Sequence, residues 1–175
     1  MTSRQLQWTV TALLIVTVGT STVGCGKGGT GVQTTMTGAQ AKQRTEQLIQ
    51  QAAAQLPPGA QLKPTGTTKF AACDDPTDGG PQGRVFAELH YDVIYPQPNM
   101  LQQAIPQLAT YWQSQGYRIK KDMRDNREFA RLGVEDPADE FYVEIVVYHR
   151  NGGQIDAQLV GSSPCIWENG TPAVR

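Results

Sequence analysis

Arg84-Val85-Phe86-Ala87-Glu88-Leu89-His90-Tyr91-Asp92-Val93-Ile94-Tyr95 alternates over its whole length. Val85, Ala87, Leu89, Tyr91, Val93 and Tyr95 share one phase, and residues two apart on an extended chain point to the same face. Six apolar residues in phase predict a strand laid on a core. Pro96 and Pro98 end it, because proline cannot donate to a ladder. The other phase is not cleanly polar: Phe86 and Ile94 stand beside Glu88, His90 and Asp92. Residues 140–150 repeat the pattern. Phe141, Val143, Ile145 and Val147 form the core phase, and Tyr142, Val146 and Tyr148 fall on the opposite side with Glu144.

Around these two strands the chain supplies others. Residues 67–73 are a short strand candidate, followed by the turn-rich stretch 74–81. Residues 117–124, 127–134 and 154–161 extend the series, joined by turns at Asp125-Asn126 and Asn151-Gly152-Gly153. Two segments have a helical period instead. In 40–56, Ala41, Thr45, Leu48, Ile49, Ala52 and Leu56 recur on one face, with Thr37 and Gln40 placed for a capping box and Pro57-Pro58-Gly59 as the stop. In the second, Leu101, Ile105, Leu108 and Trp112 form the stripe, Asn99 is the expected cap, Pro106 predicts a kink or fresh start, and Gly116 is the C-terminal stop.

Strands and helices segregated in this order predict an α+β fold. The expectation is a mainly antiparallel sheet of five to six strands, a helix packed across it, and an additional N-terminal helix. The outer phase then has two readings. The first helix covers it as a third layer, or Phe86, Ile94, Tyr142, Val146 and Tyr148 form an uncovered interaction surface, since contiguous exposed apolar patches mark binding sites.

The N-terminus carries an address. Arg4 is the only charge before Lys27, and an apolar, Thr-rich run occupies 8–23. As a helix this run reaches about 24 Å at ~1.5 Å per residue, short of the ~30 Å hydrocarbon core, so a secretory signal fits better than a membrane span. The run closes on Thr22-Val23-Gly24-Cys25, which resembles the lipobox of bacterial lipoprotein signals, with Thr22 in place of the usual Leu. The resemblance implies cleavage before Cys25 and acylation of its thiol. The expected organisation is a signal peptide over 1–24, a flexible Gly-rich tether over 25–38 and one domain over 39–175. The resulting location is the extracytoplasmic side of the cell membrane.

With Cys25 lipidated, Cys73 and Cys165 remain as an even pair in an oxidising compartment, and a bridge between them is expected. Closing a loop of roughly 90 residues is worth ~4–5 kcal/mol on the chain-entropy model. The combination Cys73-Asp74-Asp75-Pro76, Gly80-Pro81-Gln82-Gly83-Arg84-Val85, Trp112 with Gly116-Tyr117, and Ser162-Ser163-Pro164-Cys165-Ile166-Trp167 is similar to a family of small actinobacterial lipoproteins. That family carries no catalytic assignment, so the resemblance implies location and fold type but no mechanism.

Candidate chemistry is sparse. Loss of 1–24 removes one of 15 basic residues and none of 16 acidic ones, a net of −2 with no basic excess for nucleic acid. Asp74, Asp75 and Asp78 lack the spacing of an EF-hand loop, because the twelfth position from Asp74 is Val85. His90 and His149 are the only histidines and would need carboxylates to hold zinc. No Gly-x-Ser-x-Gly elbow or phosphate-loop motif occurs. Arg118, Lys120, Lys121, Arg124, Arg127 and Arg131 crowd one hairpin among Asp122, Asp125 and Glu128, which reads first as a solvated hairpin, its local excess of three suiting anionic headgroups beside the anchor as the alternative. The expected function is a lipid-anchored binding or accessory module of the envelope, without cofactor or metal, held to the membrane and meeting an envelope protein. A carrier of an apolar ligand and a small envelope hydrolase are the alternatives.

Overall fold

The computed structural model describes residues 36–73 and 82–171. Its elements run α1 (Gly38–Ala53), β1 (Gln61–Pro64), β2 (Lys69–Ala72), β3 (Val85–Ile94), α2 (Ala104–Ser114), β4 (Arg118–Asp122), β5 (Phe129–Glu135), β6 (Tyr142–His149) and β7 (Ile155–Ser162). The fold is α+β. Every pairing is antiparallel, in the order β1-β3-β7-β6-β5-β4, with β2 sharing the outer edge of β3 with β1.

This sheet has seven strands. The one not foreseen is β1, and its sequence explains why: Gln61-Leu62-Lys63-Pro64 has no apolar alternation, and Pro64 suits only an edge. The alternation of 84–95 becomes β3, with Ala87, Leu89 and Val93 buried. Register carries the core phase across the sheet: Leu89 pairs with Gly161, Gly161 with Val143, and Val143 with Val134.

Both helices lie on this core face. From α1 come Ile49 and Ala52, from α2 Ile105, Leu108 and Trp112, and all pack with Leu132, Ile145 and Leu159 in one cluster. The reading of α1 as a third layer on the opposite face is therefore wrong. The physical reason is Gly161: a Cβ there would stand 2.7 Å from Thr45 Cγ2 and 3.0 Å from Ile49, so the bare glycine lets α1 sit directly on β7. Leu48 and Ala41 complete the contact with Ala87, Phe141 and Ile166.

The helix ends follow local chemistry. Thr37 Oγ1 accepts from the Gln40 backbone, and the Gln40 side chain accepts from the Thr37 N–H at 2.8 Å, the capping box expected there. Asn99 does not cap α2. It lies inside a 3-10 turn (Pro98–Gln103), and the α-helix begins afresh at Ala104 with Pro106 in its first turn, where a missing N–H breaks no helical bond. Gly116 (φ 77°) closes α2: the Gly116 and Tyr117 N–H groups bond to the Gln113 and Trp112 carbonyls, a Schellman end.

Cys73 and Cys165 are joined, with Cα atoms 5.9 Å apart. The bridge ties the end of β2 to the segment where Ile166 pairs with Val85. Cys25 and Asp74, Asp75 and Asp78 lie outside the described residues. Among those described, no helix is long and apolar enough to cross a membrane.

Candidate functional site: the open face of the sheet

With both helices on one face, the opposite phase of the sheet has no element over it among the described residues. Four cross-strand rows make up its centre. Glu88, Ser162, Tyr142 and Glu135 form the first, and His90, Val160, Glu144 and Gly133 the second. Asp92, Gln158, Val146 and Arg131 form the third; Asp156, Tyr148 and Phe129 the fourth, with Ile94 at their level. All five expected surface residues are on this face, but not equally open. Ile94 is 44% exposed, Phe86, Tyr142 and Tyr148 are half-buried, and Val146 is only 4% exposed.

Beside Val146, whose cross-strand partner is Arg131, stands an ionic cluster that periodicity alone did not reveal. Glu144 is 3% exposed and accepts from Arg131 Nε (3.2 Å), Arg131 Nη2 and Tyr142 Oη (2.5 Å). Burying a carboxylate is costly unless donors fill its oxygens, and here three donors fill them. The hydrogen bond to Glu144 holds the Arg131 guanidinium above its ordinary value. Burial, reinforced by Glu144, pushes the Tyr142 phenol up. The signal available in sequence was Gly133, a glycine inside a strand, which marks close approach of another group. That group is Tyr142.

Elsewhere the face is laced by weaker pairs. His90 Nε2 lies 2.8 Å from Glu88 Oε1, and Gln158 donates to Asp92 Oδ1 at 2.9 Å. Arg150 stacks over the Tyr148 ring at 4.6 Å and donates to Asp156 at 3.1 Å. Asp92, Ile94, Tyr148, Arg150 and Gln158 border a recess of about 490 Å³ at this end. A second recess, of about 500 Å³, lies on the helical side between α2 and the sheet, floored by Leu101, Ile105 and Val147 with Arg124 and His149 at its rim.

His90 and His149 stand on opposite faces, β3 against β7 and β6 in register, so they cannot share a ligand. No group of three metal-ligating residues occurs among the described residues. Ser163 is structural: its hydroxyl accepts from the Ala87 N–H and donates to the Pro164 carbonyl. The basic hairpin is largely neutralised. Arg118 and Lys120 pair with Glu135, Arg124 with Asp122 and Arg131 with Glu144, leaving Lys121 and Arg127 without an ion pair among the described residues. Comparison with protein-family models, curated proteins and solved structures finds no match.

Proposed function

We propose that this chain is a lipid-anchored binding module of the bacterial envelope, acting on the extracytoplasmic side, with the open sheet face as its binding surface. The observation that carries the reading is the one-sided cover of the sheet. Both helices share one face, and the other keeps Phe86, Ile94, Phe129 and Tyr148 beside charged groups. An antiparallel sheet with one solvated face ordinarily alternates cleanly to polar residues outward, and this one does not. The lipobox-like stretch Thr22-Val23-Gly24-Cys25 supports the anchored location.

The carrier reading is supported by the apolar recess beside α2. It is the weaker of the two, because the large residues of its floor already serve as core: Leu101, Ile105 and Val147 are each under 10% exposed.

Photo-crosslinking tests the binding surface. A photoreactive residue at Ile94 in the full chain, expressed in its own envelope, should give a discrete adduct, while the same residue at the exposed Gln113 on α2 should not. Equal labelling from both positions would remove the open face as the binding surface.

A further inference from the structure

We infer that the occupant of the open face is a second copy of this chain, packed sheet to sheet about a two-fold axis that runs parallel to the strands between β7 and β6. The inference rests on the binding-surface reading above and names its partner.

Such an axis turns each cross-strand row onto itself reversed, so β3 of one copy lies over β5 of the other. The third row then sets Asp92 against Arg131 of the second copy, and the fourth sets Ile94 against Phe129. Both charged groups have capacity to spare. Asp92 uses Oδ1 for Gln158 and leaves Oδ2 free, and Arg131 uses Nε and Nη2 for Glu144 and leaves Nη1 free, among the described residues. In the first row Glu88 meets Glu135, whose charge is already answered by Arg118 at 2.6 Å and Lys120 at 3.2 Å. In the second, His90 meets the level of Gly133, where the Tyr142 ring lies across the glycine.

The other symmetric packing with aligned strands, its axis across them, exchanges the first and fourth rows. It presses Glu88 onto Ile94 and Glu135 onto Phe129, burying charge against apolar groups, which is costly. The chain's entry point separates the two arrangements independently. α1 begins where the Gly38 N–H bonds to the Glu168 carbonyl, beside the Val85 end of β3, and the segment after α1 reaches the Tyr95 end, where Tyr95 bonds to the Pro57 carbonyl. An axis along the strands keeps both entry points at one end of the dimer, which suits two chains anchored in one membrane. An axis across the strands sends them to opposite ends.

The central four strands at ~4.8 Å spacing, with seven residues each at ~3.4 Å, offer about 19 Å by about 24 Å, or on the order of 500 Å² per copy. That is below the ~800 Å² of a standard interface, so a concentration-dependent dimer is expected.

The test is sedimentation equilibrium of the full chain in a large excess of uncharged detergent micelles, up to about 100 µM, an affinity range suited to a small interface. The wild type should dimerise. Asp92→Arg should weaken the dimer about ten-fold or more by setting like charges together. Ile94→Glu and Phe129→Lys, at the outermost row where folding is least at risk, should each be monomeric alone and dimerise again when mixed. A wild type that stays monomeric, an Asp92→Arg chain that dimerises normally, or a mixture that stays monomeric would each overturn the proposal. The outcomes separate the two readings: a monomeric wild type that still gives an Ile94 adduct with another envelope protein removes the dimer and leaves the binding surface, whereas loss of both removes both.

Discussion

Tyr142 lies across Gly133, with its hydroxyl 2.5 Å from a carboxylate oxygen of Glu144. A Cβ on Gly133 would overlap the Tyr142 hydroxyl and ring. The glycine is thus the floor on which the tyrosine rests, and the tyrosine hydroxyl caps the buried Glu144 carboxylate, which also accepts from the half-buried Arg131. This makes Tyr142 a structural part of the open face, while Ile94 and Tyr148 are the parts it can present.

Gly133→Ala should therefore destabilise by ~1–3 kcal/mol, the usual cost of forcing a methyl into filled space. Chemical denaturation measures it. An unchanged midpoint would show that Tyr142 does not occupy the glycine's space.

Replacing Cys73 and Cys165 together by serine should cost about 4–5 kcal/mol, because the bridge closes a loop of 92 residues' separation. Urea denaturation of the double variant against the wild type reads this directly. A loss below about 1 kcal/mol would show that the rest of the fold already restrains the tail.

Alkaline pH should unfold the domain progressively. Burial pushes the Tyr95 phenol up to about 12, and Tyr91 and Tyr117 also to about 12, burial first and then Glu46 for Tyr91 and Asp136 for Tyr117. A raised native pKa means the unfolded chain releases its protons first. Stability is whole below about pH 10 and is lost as pH rises towards about 12. Denaturation midpoints across that window should fall, and Tyr95→Phe, which loses a bond to the Pro57 carbonyl worth about 1 kcal/mol at lower pH, should fall less steeply. Parallel profiles for the two proteins would contradict the assignment to Tyr95.

Much of this was legible in the residues. The alternation of 84–95 and 140–150 gives β3 and β6 with their core phases, and the period of Ala41, Thr45, Leu48, Ile49 and Ala52 gives the face α1 buries. What periodicity cannot carry is which side of a sheet a helix takes. Both faces of β3 and β6 bear apolar residues, so the choice rests on the bare patch at Gly161, a contact between positions more than a hundred residues apart. For the same reason the sequence places Glu144 on the outer phase of β6 without showing that it is buried. Its burial needs Arg131 from β5 and the roof over Gly133, and neither follows from its own strand.

Cys25→Ala should abolish signal cleavage and the lipid-borne mass of the mature chain, because the thiol is the site where the acyl anchor is proposed to attach. Fractionation and intact mass spectrometry read both effects. A variant that is cleaved normally and retained in the membrane would contradict the anchor.

The binding surface itself is tested most directly by one pair of substitutions read in two ways. Phe86→Glu with Tyr148→Glu places two carboxylates on the open face without touching Tyr142, Gly133 or Glu144. If the face is open and used, the thermal midpoint should stay within about 5 °C of the wild type, as for surface substitutions, while the adduct formed from a photoreactive group at Ile94 disappears. A fall of more than about 10 °C would show the face to be buried core, and an unchanged midpoint with an unchanged adduct would show that the contact at Ile94 does not use this face, contradicting the binding surface.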